Sequence, residues 1–208
     1  MLDLNRLRVT YGPVVAVADV SAQVHAGELV VITGSNGSGK STLLRSILGL
    51  VPVTDGEIRL AGERAGTPRE WRRRRQLVAY VPQRTSPGGF PLVVRELLDS
   101  GGAPDAAADA AHRLGIADLL DRPVTTLSGG QLQRAYLARA VGCLARGSCL
   151  LAADEPTSAL DFAGQDDVAA LLAELPVARL VVSHDAAVVE RADRVLEMAG
   201  GTLRERAA

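Results

Sequence analysis

The chain has 208 residues, with 23 basic and 24 acidic side chains and a formal net charge of −1. This balance gives no reason to expect a nucleic-acid surface, which would need a basic excess. Hydrophobic residues make up 47% of the chain but come in runs far shorter than the roughly 20 residues of a membrane-spanning helix. The N-terminus also lacks the layout of a signal peptide, so we expect a cytoplasmic protein that reaches a membrane only through a partner.

The predicted elements begin with antiparallel strands. Apolar and polar residues alternate over residues 2–27, which predicts strands with one buried face. Residues 28–33 predict a fully buried strand, and after a glycine-rich loop residues 40–48 predict a helix that ends at Gly49. A turn at residues 54–56 then leads into a returning strand at 57–60.

The amino-acid composition changes in the middle of the chain. Four arginines at residues 72–75 follow Trp71, and we expect them to form a solvated loop because the total charge is close to neutral. Residues 77–81 predict another buried strand. Residues 84–126 are rich in alanine with glycine and proline breaks, which favours a helical lobe inserted between core strands.

The last third of the chain alternates helices with strands. The predicted elements are a helix over 134–145, a strand over 149–153, a helix over 165–175, a strand over 180–183 and a frayed tail over 204–208. Such alternation implies an α/β core with a mostly parallel sheet. Cys143 and Cys149 have no nearby histidine to complete a zinc site, and we expect both to be buried as small apolar residues.

The glycine-rich loop has the form G-x-x-x-x-G-K-[ST], which is typical of phosphate-binding loops. Its residues are Gly34, Ser35, Asn36, Gly37, Ser38, Gly39, Lys40, Ser41 and Thr42. The small residues let successive backbone N–H groups point inward at a helix N-terminus, where fixed dipoles bind a polyphosphate. Lys40 adds a positive charge for the β- and γ-phosphates, and the Ser41 hydroxyl is placed to bind Mg²⁺. We therefore expect ATP and Mg²⁺ as cofactors.

Two adjacent carboxylates, Asp154 and Glu155, end the apolar strand predicted near residue 150. Such a pair is usually a solvated turn when it stands alone. In proteins with a phosphate-binding loop, however, an acid at this strand end holds Mg²⁺, and here that role falls to Asp154. Adjacent residues at a strand end point in different directions, so Glu155 can face the γ-phosphate and orient or deprotonate the attacking water.

A second short motif lies far downstream of the phosphate-binding loop. It comprises Leu127, Ser128, Gly129, Gly130 and Gln131, with Ser128 a natural N-cap for the helix that follows. Together, in this order, the two motifs resemble the nucleotide-binding subunit of an ATP-binding cassette (ABC) transporter. In that family the signature motif faces the γ-phosphate bound by the other subunit. The resemblance therefore implies a head-to-tail homodimer or heterodimer with two ATP molecules between the subunits.

Further positions match the same family from Tyr11 to about residue 198. The resemblance implies that Tyr11 stacks on adenine and that Gln83 reaches Mg²⁺ and water while sensing the helical lobe. It also implies that residues 158–161 cross the dimer interface and that His184 contacts the γ-phosphate. His25 and His112 match nothing in the family, and we expect both at the surface.

The fold implied is a P-loop NTPase core of α/β class with a mostly parallel sheet, an N-terminal antiparallel β part and an inserted, shortened helical lobe. We expect one ABC ATPase domain over 1–208, with its core at 1–83 and 132–208 and its lobe at 84–131. The expected function is ATP hydrolysis that powers a separate integral membrane permease from the inner face of the cell membrane. No nucleic-acid partner is expected.

Two questions remain open on the sequence alone. A non-transport relative, such as an iron–sulfur assembly or cell-division ATPase, is the alternative function, whereas chromosome ATPases are excluded because they need long coiled coils between the motifs. The transported substrate is the other question. Residues 81–84, followed by Phe90, Pro91 and Val94, are similar to the zinc and manganese importer branch, although the lobe is shorter than usual there. The direction of transport is not fixed.

Overall fold

A computed structural model describes residues 1–83 and 92–206. The first strands form a three-stranded antiparallel sheet in the order β2-β1-β4, made of β1 (Leu2–Tyr11), β2 (Val14–Val24) and β4 (Asp55–Leu60). Leu2 and Leu4 are buried at alternate positions of β1, and after a register shift between Leu4 and Leu7 the same holds for Leu7 and Val9. The antiparallel N-terminal part predicted from the alternating pattern is therefore confirmed.

The larger sheet has six strands in the order β5-β6-β7-β3-β8-β9. They are β3 (Leu29–Thr33), β5 (Val78–Val81), β6 (Leu150–Asp154), β7 (Ala178–Val182), β8 (Arg194–Ala199) and β9 (Thr202–Glu205). All neighbours pair in parallel except β8 and β9, so the mostly parallel core is confirmed. The predicted frayed tail is wrong for residues 204 and 205, which pair with β8 in β9, while Arg194 forms an ion pair with Glu205 at 2.9 Å.

Seven α-helices accompany the strands in the described part of the chain. They are α1 (Lys40–Ile47), α2 (Pro68–Gln76), α3 (Val94–Asp99), α4 (Pro104–Arg113), α5 (Gly129–Ala145), α6 (Phe162–Glu174) and α7 (Ala186–Val189), with 3₁₀ turns at Ala117–Leu119 and Val124–Thr126. None of the described helices is long and apolar enough to cross a membrane. Helix α5 starts five residues before the predicted residue 134 and runs through the proposed lobe boundary at 131/132.

The arginine run was expected in a solvated loop, and that prediction is wrong because residues 68–76 form α2. A capping box starts this helix: Thr67 Oγ1 accepts from the Glu70 N–H at 3.3 Å, and Glu70 accepts from the Thr67 N–H at 2.9 Å. Arg74 is buried, donates to the Glu63 carbonyl at 2.7 Å and lies over the Trp71 ring at 5.4 Å. One cation of the run is therefore structural, and the others stay exposed.

Two apolar clusters cover the two faces of the six-stranded sheet, because successive strand residues point to opposite sides. One cluster joins Val30, Ile32, Ala152 and Val182 to α1 and the antiparallel sheet. The other joins the opposite strand residues to α5, α6 and the helical lobe. Because β3, β5, β6 and β7 run parallel, their carboxyl ends lie at one edge of the sheet, where the loops that carry the candidate site begin.

Candidate functional site

The phosphate-binding loop curls between β3 and α1 and lines a pocket of about 370 Å³ with Gln83, Asp154 and Glu155. Gly39, which precedes α1, has φ of 108°, and a Cβ there would collide with the Ala16 carbonyl oxygen. Gly37 has φ of 80° but nothing within 4 Å of such a Cβ, so the backbone is open on that side. The loop therefore has the conformation of a cradle beside an open pocket, and the N–H groups of such a loop at a helix N-terminus bind anions.

Lys40 is the only lysine in the chain. Its Nζ donates to the carbonyl oxygens of Gly34 at 2.7 Å and Ser35 at 2.8 Å. These two bonds hold the ammonium group against the loop at the pocket's edge. Lys40 is thus the one cation in the lining of the pocket, because the other described lining residues carry no positive charge.

Asp154 ends β6 and is only 1% exposed, yet neither of its carboxylate oxygens has a hydrogen-bond partner among the described residues. Burial raises the pKa of this carboxyl, and the nearby Ser41, Arg45 and Lys40 side chains partly oppose that rise. A buried carboxylate without a partner is unfavourable and is typically balanced by a cation. The site therefore fits a divalent metal ion that Ser41 and Asp154 would share.

Glu155 directly follows Asp154 in the left-handed region, with φ of 49°, and is 8% exposed. Its N–H donates to the Val182 carbonyl at 2.8 Å, and its own carbonyl accepts from Ser158 Oγ at 3.0 Å. These bonds hold a conformation that costs about 1–3 kcal/mol in a non-glycine residue. The strained backbone turns the Glu155 side chain into the pocket beside the phosphate-binding loop.

His184 lies in the loop after β7, and its side chain contacts that of Glu155. Its Nδ1 lies 3.2 Å from Glu155 Oε1 and 3.1 Å from Oε2, while 78% of its side chain is exposed. The two residues are far apart in the sequence, and the pairing of β6 with β7 brings them together. The predicted catalytic carboxylate and histidine therefore meet in space, with the histidine on the outer side of the carboxylate.

The signature motif begins α5, and Ser128 is its N-cap as predicted. Ser128 Oγ accepts from the Gln131 N–H at 3.2 Å, and Gln131 Oε1 accepts from the Ser128 N–H at 3.0 Å. A Cβ on Gly130 would lie 2.8 Å from the Ala159 carbonyl, so the motif packs on residues 158–161. No signature residue lines the pocket of the phosphate-binding loop in the described part of the chain.

The remaining predicted residues have different surroundings. Gln83 is exposed and lines the phosphate pocket. Tyr11 is exposed at the end of β1, next to the exposed Val14 and Val15 of β2, and does not line that pocket. His25 and His112 are exposed as expected, whereas the importer-like positions Arg84, Phe90 and Pro91 lie outside the described residues.

Sequence reasoning missed Arg45, whose charge opposes the raised pKa of Asp154. A signal was present, because Arg45 lies four residues after Ser41 and therefore on the same side of α1. It also missed Arg134, whose guanidinium donates to the Leu114 carbonyl at 3.0 Å and lies 3.8 Å from Asp161. This arginine connects the signature helix to both the helical lobe and the segment that follows β6.

Comparisons with known proteins agree with this arrangement. The family described as ABC transporter matches residues 17–158. The chain is 42% identical over 192 residues to the zinc import ATP-binding protein ZnuC of Ruegeria pomeroyi, covering 88% of this chain and 69% of that protein. It is 40% identical over 205 residues to the protein of the same name from Cereibacter sphaeroides, covering 94% and 78%. Among solved structures, the dimeric ATP-binding cassette MJ0796 in a post-hydrolysis state with ADP and Pi has a TM-score of 0.86, 27% identity and coverage of 99% and 98%.

Proposed function

The chain belongs to the ABC transporter family and is an ATPase, and from this premise we propose that it powers zinc import through a separate membrane permease. The observation that carries the ATPase role is the convergence of the phosphate-binding loop, Gln83, Asp154 and Glu155 on one pocket. Zinc as the transported substrate is supported by two relatives named as zinc import ATP-binding proteins. The same names favour transport over iron–sulfur assembly or cell division.

In the proposed site, backbone N–H groups of residues 34–42 and the Lys40 ammonium bind the phosphates of ATP, and Tyr11 stacks on adenine. Glu155 accepts a proton from the water whose oxygen attacks the γ-phosphorus, and the bond to the ADP oxygen breaks. His184, 3.1 Å from the Glu155 carboxylate, orients that group and contacts the γ-phosphate. The products are ADP and inorganic phosphate.

Mg²⁺ is the proposed metal cofactor. Ser41 and the unpartnered Asp154 carboxylate would hold it, with Gln83 reaching it from the other wall of the pocket. Bound there, the ion would neutralise charge on the phosphates. The described residues contain no group of three or more His, Cys, Asp or Glu that could hold a metal, so the remaining ligands would come from phosphate and water.

We propose that the working unit is a head-to-tail dimer in the ATP-bound state, either of two copies or with a related cassette. The signature residues lie outside the chain's own phosphate pocket, and the similar cassette MJ0796 is dimeric. The proposed domain comprises a core at 1–83 and 132–208 and a lobe at 84–131, joined by the continuous helix α5. Its proposed location is peripheral, on the inner face of the cell membrane beside the permease.

Lys40→Ala is expected to weaken MgATP binding by roughly 10–100-fold, because hydrogen bonds to a charged group contribute about 1.5–3 kcal/mol. A fluorescent ATP analogue measures this affinity, with the exposed Arg69→Ala as a control that removes a cation outside the pocket.

Growth tests the transported metal. In a strain lacking the gene, wild type and Arg69→Ala should restore growth under metal chelation, and Lys40→Ala should not. Zinc rather than manganese should rescue the strain. Equal ATP affinity of Lys40→Ala and wild type would contradict the assignment of the phosphate site. Rescue of growth by manganese alone would contradict zinc as the transported substrate.

Asp154→Asn is expected to stabilise the nucleotide-free protein and to remove Mg²⁺-dependent hydrolysis. Because burial raises the folded pKa of Asp154, ionisation above the unfolded pKa destabilises the fold at neutral pH, and a neutral amide avoids this cost. A gain of about 1 kcal/mol would raise Tm by roughly 2–4 °C. Thermal unfolding without nucleotide measures it, with the exposed Asp121→Asn as the matched control. A lower Tm for Asp154→Asn would show that the carboxylate has a partner in the folded protein.

A further inference from the structure

Helix α2 has three arginines on its solvent side. Arg69, Arg72 and Arg73 are spaced at i, i+3 and i+4, so they lie on one face of the helix, and all three are exposed. The other side of α2 holds the buried Arg74, which donates to the Glu63 carbonyl at 2.7 Å and fixes the orientation of the helix. We call Arg69, Arg72 and Arg73 the arginine face.

The arginine face belongs to a strongly basic part of the chain. Residues 57–76 contain seven arginines and three glutamates, a net charge of +4 in a chain whose formal net charge is −1. Arg73 pairs with Glu63 at 2.9 Å, whereas Arg69 and Arg72 form no ion pair within residues 1–83 and 92–206. Exposed charges further apart than the Debye length of about 8 Å at physiological ionic strength are largely screened, so distant acidic residues do not cancel this charge.

The one acidic residue of α2 already has partners. Glu70 accepts from the N–H groups of Gly66 at 2.8 Å and Thr67 at 2.9 Å, as the carboxylate of the capping box. The arginine face therefore has no counter-charge from its own helix, and like charges at i, i+3 and i, i+4 destabilise a helix. An anionic surface against this face would relieve that repulsion, which favours an anionic ligand.

The aromatic residue of α2 does not point to nucleic acid. A Cβ on Gly49 would lie 2.3 Å from the Trp71 ring, and the Arg74 guanidinium lies 5.4 Å from the centroid of that ring. The ring is thus packed inside the protein and is not available to stack on a base. Proteins that bind single strands combine a basic groove with aromatic side chains that do stack, so the arginine face lacks half of what such a ligand needs.

The shape of the surface also selects among anions. The three side chains project from the exposed side of a helix, and none of them lines the phosphate pocket or the larger cavity beside β5. Acidic peptides bind mainly in grooves or along sheet edges. A bilayer surface, in contrast, presents many phosphates in one plane and can contact a row of guanidinium groups on a convex helix.

We propose that the arginine face binds the anionic phospholipid headgroups of a membrane surface. Guanidinium groups match phosphate through two parallel hydrogen bonds, and basic clusters on one side of a helix bind anionic lipids. That the phosphate belongs to a lipid rather than to a free ion rests on the proposed function, which locates the chain on the inner face of the membrane. The contact would orient the subunit with α2 towards the bilayer.

Co-sedimentation with vesicles tests the ligand. The full chain, without nucleotide, is mixed with vesicles of phosphatidylglycerol and phosphatidylcholine in equal parts or of phosphatidylcholine alone. Partitioning onto the anionic vesicles is expected to be at least about 10-fold stronger, and the difference should shrink at high salt. Inorganic phosphate, a polyglutamate peptide and a single-stranded oligonucleotide are added as competitors at equal charge concentration and ionic strength, and none is expected to displace the protein.

Arginine variants test the surface. Arg69→Gln/Arg72→Gln/Arg73→Gln should reduce partitioning onto anionic vesicles by at least about 30-fold, because each arginine near an anionic membrane contributes about 5-fold. Arg69→Gln/Arg72→Gln keeps the pair of Arg73 with Glu63 and should still lose at least about 10-fold, which serves if the triple variant does not fold. Thermal unfolding checks the folding of both variants.

The matched control removes the same net charge from other elements. It replaces three exposed arginines, Arg113→Gln/Arg122→Gln/Arg191→Gln, and should keep partitioning within about 2-fold of wild type. Basal ATP hydrolysis should equal that of wild type in every one of these variants, because none of the changed residues lines the phosphate pocket.

A single fluorescent label gives a second readout of position. Cys143 and Cys149, which are half-buried rather than fully buried as expected, are first replaced by alanine. Gln76→Cys then places a dye seven residues after Arg69, on the same exposed face of α2. Lipids with a nitroxide on the headgroup should quench this dye, whereas a dye at the exposed His112→Cys of α4 should be quenched far less.

The outcomes separate this proposal from the proposed function. Equal partitioning onto neutral and anionic vesicles, or displacement by any one competitor, would overturn the lipid ligand. An equal loss in the matched control, or equal quenching at positions 76 and 112, would overturn the location on α2. Absence of ATP hydrolysis or of zinc-dependent growth would instead contradict the proposed function, and vesicle binding, which needs no nucleotide, could still be measured.

Discussion

Glu155→Gln is expected to bind MgATP and to hydrolyse it more slowly than wild type by a factor on the order of 100 or more. The glutamine keeps the shape and hydrogen bonding of the side chain but cannot take a proton from water. Glu155 is 8% exposed, lines the phosphate pocket and contacts His184, so a change of charge there acts directly where the γ-phosphate is expected.

Phosphate release under saturating ATP measures the rate, and a fluorescent ATP analogue measures binding in the same preparation. Glu174→Gln is the matched control, because this glutamate is exposed and pairs with Arg113 at the surface. Hydrolysis by Glu155→Gln at the wild-type rate would exclude Glu155 as the proton acceptor. A parallel loss of ATP binding would indicate a structural role for the carboxylate instead.

Much of the fold follows from local patterns in the sequence. The alternation in β1 and the apolar runs of β3, β6 and β7 are direct consequences of which side chains must leave water. The phosphate-binding loop could be located because its glycines satisfy backbone requirements that few other residues meet. The predicted cap at Ser128 likewise marks where α5 begins, whereas α6 begins at Phe162, three residues before the predicted residue 165.

The predictions for the arginine run and for the C-terminal residues were wrong because the local sequence pattern and the burial of residues in the folded protein indicate different structures. Helix α2 is charged on nearly all sides, so it has no apolar face to reveal it, and only the short capping box from Thr67 to Glu70 signals it. Strands β8 and β9 form a hairpin at the edge of the sheet, and the pairing of Arg194 with Glu205 becomes visible only in three dimensions. The charged residues 204 and 205 were therefore wrongly predicted to be part of a frayed tail.

The candidate site, like the β8–β9 hairpin, depends on tertiary contacts. The contact between Glu155 and His184 is set by the parallel pairing of β6 and β7, and no spacing within either motif predicts its distance. The unpartnered carboxylate of Asp154 also follows from burial at the sheet edge rather than from the residue type. The sequence could supply the chemical groups, whereas their protonation and orientation needed the packed sheet.

The proposed head-to-tail dimer can be tested through the separation between the signature motif and the phosphate pocket. Glu155→Gln, loaded with MgATP that it hydrolyses only slowly, is expected to accumulate as a dimer on size-exclusion chromatography. Two facing sites would each join the phosphate loop of one copy to the signature of the other. The run is repeated at high protein concentration, because an isolated cassette can dimerise weakly.

Adding Ser128→Arg to Glu155→Gln should return the protein to monomer while its ATP affinity stays within about 3-fold of Glu155→Gln, well under the 1.4 kcal/mol of a tenfold change. Ser128 is exposed at the start of α5 and outside its own chain's phosphate pocket, so a long cation there obstructs only a partner's nucleotide. The substitution also removes an N-cap worth about 1 kcal/mol. Ser128→Ala in the same background controls for that loss and should retain more dimer. Dimers of Glu155→Gln/Ser128→Arg as abundant as those of Glu155→Gln would show that the signature does not contact nucleotide across the interface.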